Sequence, residues 1–374
     1  MIKKRWDTRW AACLVGGLLA AASSGCGASL LDLLGGGLPG NQLGGSSRPA
    51  GSDLTDAAPL TFDADGNAAF DGTISGGEAN VFDLGALNPG DRLVVSVNPA
   101  SGSSLDPVAA VFTSAGELLS LNDDVDLNAG QLGSRIDEIV SAAGEHYYLA
   151  VARFYYDARG GAYTGAVRVE RGGEFPRPPV QYLQLQFGGG TVTLPGEGTI
   201  SVGAFDSSDV DAAYNGQTAP IKAKIVETVR HDFRDTGLEI ITNDDPLPPG
   251  PCTYSTLYFG AYSATKFGLA ESVDQGNRDR CDDGIVFTDD FDKPFAVQPT
   301  PDGLGVAIGN VAAHEAGHLL GLQHVADITD LMDNTGTAST LLADQEFKTA
   351  PLSPSVFPLG SQNGPMILDR VVPK

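Results

Sequence analysis

Residues 314 to 324 read His-Glu-Ala-Gly-His-Leu-Leu-Gly-Leu-Gln-His, the pattern HExxHxxGxxH, which sets three imidazoles and one carboxylate at spacings suited to a metal ion. On a helix, residues four apart share a face, so His314 and His318 present two nitrogens to one ion while Glu315, one step round, points at an open coordination position. His324 lies six residues past His318, beyond what the same helix can bring round. Gly321, able to take a left-handed conformation, ends the helix and turns the chain back, so this glycine is part of the site. Three neutral imidazoles leave zinc its charge and one open position, which is the chemistry of metal-assisted hydrolysis with Glu315 as the base. A lone HExxH also occurs as two surface histidines flanking a solvated glutamate. Here, however, three of the five histidines in the chain fall within these eleven residues. The other two, His146 and His231, stand in a strand pattern and an amphipathic helix pattern and are not assigned to the metal.

These eleven residues resemble the consensus of the metzincin metalloendopeptidases, and Met332, eight residues after His324 in Asp330-Leu331-Met332-Asp333, looks like the Met-turn of that family. Residue by residue, the resemblance implies that His314, His318 and His324 are zinc ligands, that Glu315 is the general base, and that Met332 forms a hydrophobic floor beneath the metal. Two of its branches carry a metal-binding tyrosine two residues after that methionine; this chain has Asn334 there, so a matrixin-like or pappalysin-like branch fits better. Val325, after the third histidine, leaves the branch open.

The elements that must position these groups can be read from the flanking chain. A helix over residues 302–320 carries the motif, and one over 219–235 places Ile221, Ile225, Val229 and Phe233 on a single stripe, with Pro220 near its start and Gly237 past its end. Strands are expected at 180–187, 238–242, 255–260, 268–273 and 284–288. That succession is similar to a metzincin catalytic domain, an α+β fold with a mixed sheet, an active-site helix and a Met-turn, over residues 180–374. Family precedent lays substrate along an edge strand of this sheet, and residues 268–273 are the candidate.

Residues 54–172 change to short alternating apolar runs broken by turns, among them Arg92-Leu93-Val94-Val95-Ser96-Val97, which suggests an antiparallel all-β sandwich. This stretch resembles the bacterial pre-peptidase C-terminal type of module, through Gly72-Thr73-Ile74, Leu87-Asn88-Pro89-Gly90-Asp91, Asn122-Asp123-Asp124 and Gly144-Glu145-His146-Tyr147-Tyr148-Leu149. Some such modules carry structural calcium, so Asp123, Asp124 and Asp126 are candidate oxygen ligands, with a solvated acidic loop as the alternative. Arg177-Pro178-Pro179 marks a stiff boundary between the two halves.

Residues 1–26 read as an export signal, with Lys3, Lys4, Arg5 and Arg9 ahead of the apolar run 11–22. Ser24-Gly25-Cys26-Gly27 resembles a lipobox, which would make Cys26 a lipidated first residue; ordinary cleavage and release is the alternative. Residues 27–53, rich in Gly and Ser, read as a flexible tether. Cys252 and Cys281 are the only cysteines left outside the leader, and an exported chain permits their pairing, with two free thiols as the alternative.

The 374 residues, 42% of them hydrophobic, suffice for two packed domains, and 47 acidic against 23 basic residues give a net charge of −24. That charge argues against nucleic acid or an anionic membrane surface as partner, leaving a lipid anchor as the sole membrane contact. The expectation is therefore an exported or surface-tethered monomer that uses zinc to cleave protein or peptide substrates. A non-catalytic zinc-containing binding or scaffold protein is the second reading, and attachment to polysaccharide or matrix through the sandwich is the third. Intact Glu315 favours the enzyme.

Overall fold

The computed structural model describes residues 51–125, 130–292 and 294–374. The export signal, Cys26, most of the tether and Asp126 lie outside the described residues. The chain is built mostly of β-structure in several sheets with few helices. Among the described residues no helix is long and apolar enough to cross a membrane.

The first half holds strands β1 (Ala58–Pro59), β2 (Asn67–Ile74), β3 (Asn80–Leu87), β4 (Arg92–Pro99), β5 (Pro107–Thr113), β6 (Leu118–Asn122), β7 (Ser134–Ile139), β8 (Gly144–Arg153) and β9 (Gly161–Glu170). They form two sheets, ordered β1-β3-β8-β5-β6 and β2-β9-β4-β7. Alternation explains the layer between them: Leu93, Val95 and Val97 of β4 are fully buried, as are Ala109 and Val111 of β5 and Leu149 and Val151 of β8. Gly51, at the end of the expected tether, exchanges two backbone hydrogen bonds with Val81, so the sheet edge reaches into that segment.

Two neighbouring strands break the alternation, β5 and β6, the latter buried at all five positions. Residues 107–112 of β5 are buried at every position. Ala109 and Val111 face the partner sheet, whereas Val108, Ala110 and Phe112 join a second cluster completed by Leu352, Val356 and Phe357 from the far end of the chain. The sandwich thus carries the second half of the protein on its other face.

The second half contains β10 (Tyr182–Gln186), the hairpin β11 (Gly190–Leu194) and β12 (Gly198–Val202), α1 (Ser207–Val210), α2 (Thr218–Asp232), β13 (Glu239–Thr242), β14 (Tyr254–Phe259), β15 (Gly268–Ala270), β16 (Asp283–Val286), α3 (Pro301–Leu319), β17 (Thr349–Pro351), β18 (Ser361–Asn363) and α4 (Gly364–Val371). The main sheet runs β13-β10-β14-β16-β15, parallel throughout except for β15, which pairs antiparallel with β16 and forms one edge. Both long helices pack on it, burying Ile221, Ile225 and Val229 of α2 and Leu304, Ile308 and Ala312 of α3 against Leu183, Leu185, Leu257 and Phe259.

The boundaries follow from local chemistry. α3 begins where Thr300 accepts a hydrogen bond from the Gly303 N–H, with Pro301 in the first turn, where its missing N–H costs nothing. α2 stops at Asp232, short of the expected 235, because Phe233 turns inward to the core as its C-cap. β15 stops at Ala270 rather than 273, since the following loop bends towards α3 and the Asp274 N–H bonds the His318 carbonyl.

Candidate metal centre

α3 delivers His314 and His318 on one face, and its C-terminus is closed by a Schellman motif. The Leu322 N–H bonds the Gly317 carbonyl at 2.8 Å and the Gly321 N–H bonds the His318 carbonyl at 2.9 Å, with Gly321 at φ +93°. The chain then returns and places His324 over the helix. The three Nε2 atoms stand 3.1, 3.1 and 3.2 Å apart.

Tetrahedral zinc with metal–nitrogen bonds of about 2.0–2.1 Å spaces its ligands about 3.3–3.4 Å apart, so this triangle fits such an ion with little adjustment. The protons point the same way. His314 Nδ1 donates to the Leu331 carbonyl at 2.6 Å and His318 Nδ1 to the Leu322 carbonyl at 2.8 Å. In that tautomer both rings turn a bare lone pair towards the centre of the triangle, an arrangement that repels unless a cation sits among them. Burial holds His314 down to about 4 and His318 to about 3, the latter with the His314 ring adding to the effect; burial and then the His318 and His314 rings push His324 well below its usual value. All three therefore stay neutral, as ligands must.

Glu315 is 2% exposed, its Oε1 has no hydrogen-bond partner among the described residues, and burial lifts it to about 8 against the opposing pull of the Ala270 N–H and Lys266. An orphaned carboxylate oxygen on the turn that carries the tripod is what a site for a metal and its water would leave. Edge strand β15 runs past it: a Cβ on Gly268 would lie 2.4 Å from Glu315 Oε1, so only glycine leaves room there for the carboxylate.

Met332 is fully buried, and a Cβ on Gly317 would lie 2.5 Å from its sulfur. Its turn is built by two aspartates. Asp330 Oδ1 accepts from the Met332 N–H at 2.7 Å and Oδ2 from the Lys348 N–H at 3.0 Å, while Asp333 accepts from the N–H groups of Thr335 and Gly336. Because Leu331 offers its carbonyl to His314, the turn orients a ligand as well as filling space. Beside His314 opens a cavity of about 380 Å³, walled by Phe267, Val311, Leu331 and Leu341, with Asn334 on its lining.

Of the other residues singled out in the sequence, Cys252 and Cys281 are joined as a disulfide with Cα atoms 4.5 Å apart. Among the described residues, neither Asp123 nor Asp124 belongs to a group of ligand atoms close enough to share an ion; Asp123 Oδ1 instead accepts from the Asp124 N–H. His146 pairs with Asp83, and His231 is exposed on α2, both away from the tripod. Sequence reasoning missed Gly268, Gly317 and the carbonyls of Leu322 and Leu331. The aspartates flanking Leu331-Met332 were a readable signal, since Asp favours such side-chain-to-backbone turns.

No family model matches the chain, and no curated protein matches it. Solved structures do resemble parts of it. A periplasmic inhibitor of g-type lysozyme from Aeromonas hydrophila covers 30% of this chain and 95% of its own, at 18% identity and TM-score 0.25. The pre-peptidase C-terminal domain of a collagenase from Bacillus anthracis covers 33% and 100%, at 15% identity and TM-score 0.24. An archaemetzincin from Methanopyrus kandleri covers 46% and 91%, at 15% identity and TM-score 0.25.

Proposed function

We propose that this chain is an exported zinc-dependent endopeptidase of metzincin type. The observation that carries the reading is the triangle of three buried Nε2 atoms at 3.1–3.2 Å, with a Glu315 carboxylate oxygen that has no partner among the described residues on the same helical turn. His314, His318 and His324 would hold the ion, which when bound supplies Lewis acidity, acidifying water and polarising a peptide carbonyl. Glu315, kept ionised by the adjacent cation despite its burial, takes a proton from the attacking water and returns it to the leaving amine, so no acyl-enzyme is needed. The Leu331 and Leu322 carbonyls keep the two helical imidazoles in the ligating tautomer throughout. Edge strand β15, immediately over Glu315, offers backbone groups to an extended peptide, and the apolar cavity beside His314 receives one of its side chains. The leader exports the chain, and Cys26 anchors it through a lipid.

The test is cleavage of casein by the purified chain with one equivalent of zinc, with and without a chelator. Glu315→Gln should lower turnover by about 10²–10⁴-fold while zinc content stays at one per chain. A zinc-loaded wild-type chain that leaves casein and a random peptide library intact would instead indicate a metal-holding binding protein.

A further inference from the structure

The sandwich reaches the ligand-bearing turn from two sides, each time through an intervening segment. On one side, Gln275 Oε1 accepts from the Leu121 N–H at 2.5 Å and from the Ser120 hydroxyl at 3.2 Å, both on β6. The backbone beside that glutamine is in turn packed on the metal centre. The Asp274 N–H bonds the His318 carbonyl at 2.9 Å, and the Asp274 carbonyl and Gln275 Cα lie 2.8 and 2.9 Å from where a Gly321 Cβ would be.

On the other side, the segment that follows β17 and runs through β18 is seated in the sandwich. Phe357 packs on Phe112 with ring centroids 5.7 Å apart, the Ser361 N–H bonds the Gly116 carbonyl at 2.9 Å, and Asn363 donates to Glu117 at 2.9 Å. That same segment grips the third ligand: the Ser353 N–H bonds the His324 carbonyl at 3.0 Å, and the Gln362 amide bonds both the N–H and the carbonyl of Gln323.

We infer that the β-sandwich is a positioning element of the metal centre, with Gln275 and Phe357 as the residues through which it fixes the backbone carrying His318 and His324. The physical reason is that a tripod binds tightly only if its ligands are held in place before the ion arrives, and His324 sits on a returning loop that α3 cannot itself orient. Gln275 touches no ligand and acts through the loop it pins. This inference rests on the zinc reading of the tripod.

The experiment uses the full chain and reads zinc affinity by competition with a chelating dye, the visible spectrum of bound cobalt(II), and the melting temperature of the metal-free protein. Gln275→Ala should weaken zinc about tenfold and alter the cobalt spectrum, the lower end of what supporting residues cost. Gln275→Glu keeps the acceptor oxygen and should restore both. Phe357→Leu keeps an apolar side chain in the seat and should weaken zinc severalfold; it decides the matter if Gln275→Ala does not fold. A wild-type chain that takes up no zinc overturns the metal reading and this inference with it. Wild-type binding matched by every folded variant, even with lowered melting temperature, overturns this inference alone, because the contacts would then stabilise the fold without setting the site.

Discussion

Replacing Gly321 by alanine should damage both stability and metal binding, for reasons that can be separated. The residue sits at φ +93°, and an added Cβ would lie 2.8 Å from the Asp274 carbonyl oxygen, 2.9 Å from Gln275 Cα and 3.2 Å from the Gly276 nitrogen. All three are backbone atoms that cannot rotate away. A left-handed conformation costs an L-residue ~1–2 kcal/mol. Forcing atoms into a packed site adds ~1–3 kcal/mol, so the expected loss is about 2–5 kcal/mol. Gly216 supplies the control: it sits at φ +76° with nothing within 4 Å of an added Cβ, so Gly216→Ala should cost only the conformational part, ~1–2 kcal/mol. Denaturant unfolding of both metal-free variants measures the difference. Zinc titration should then show Gly321→Ala weakened by about 10-fold or more, because the turn sets His324 against His318, while Gly216→Ala binds like wild type. Equal destabilisation in the two variants, or unchanged zinc affinity in Gly321→Ala, would refute the reasoning.

Other perturbations test other parts of the structure. Burial, helped by the nearby Asp344, raises Asp232 from 3.8 to about 8, and neither of its oxygens has a hydrogen-bond partner among the described residues. A raised folded-state pKa gives stability that is whole below the unfolded value and is lost as pH rises through the folded one. Asp232 should therefore contribute a loss on the order of 4 kcal/mol between pH 5 and pH 8.5, on top of that from the buried Glu315, which titrates in the same range. Asp232→Asn should remove that share of the slope, and a variant whose denaturation midpoint falls with pH as steeply as that of wild type would contradict the assignment. Replacing Cys252 and Cys281 together by serine opens a loop with a sequence separation of 29, which the chain-entropy relation values at ~3–4 kcal/mol. Denaturant midpoints should fall accordingly, and a change below about 1 kcal/mol would count against a constraint of that size.

Much of the site was legible because its information is local. The helix that carries His314, Glu315 and His318 is set by Thr300 and Pro301 at one end and Gly321 at the other, all within a few residues of where they act. The strands of the sandwich announced themselves by alternation, and β4 obeys it. β5 also held a signal that was not drawn on: Val108-Ala109-Ala110-Val111-Phe112 does not alternate, and a strand apolar on both faces has something packed on each. The pattern could say that a second face was covered, but not by what.

By itself, then, the sequence determined the chemistry on offer: which atoms can ligate, which carboxylate stands next to them, and where the helix must stop. Caps, turns and side-chain periodicity act over a single turn of chain, so they survive in the order of residues alone. Only the tertiary structure decided that the three nitrogens converge, since Ser353 holds the His324 backbone and Gln362 that of its neighbour Gln323, and that the Glu315 carboxylate has room, since Gly268 lies on a separate element. It also decided that the sandwich is welded to the site through contacts such as Ser120 to Gln275, 155 residues apart. Contacts of that range depend on which faces find each other during packing, and no spacing along the chain records the choice.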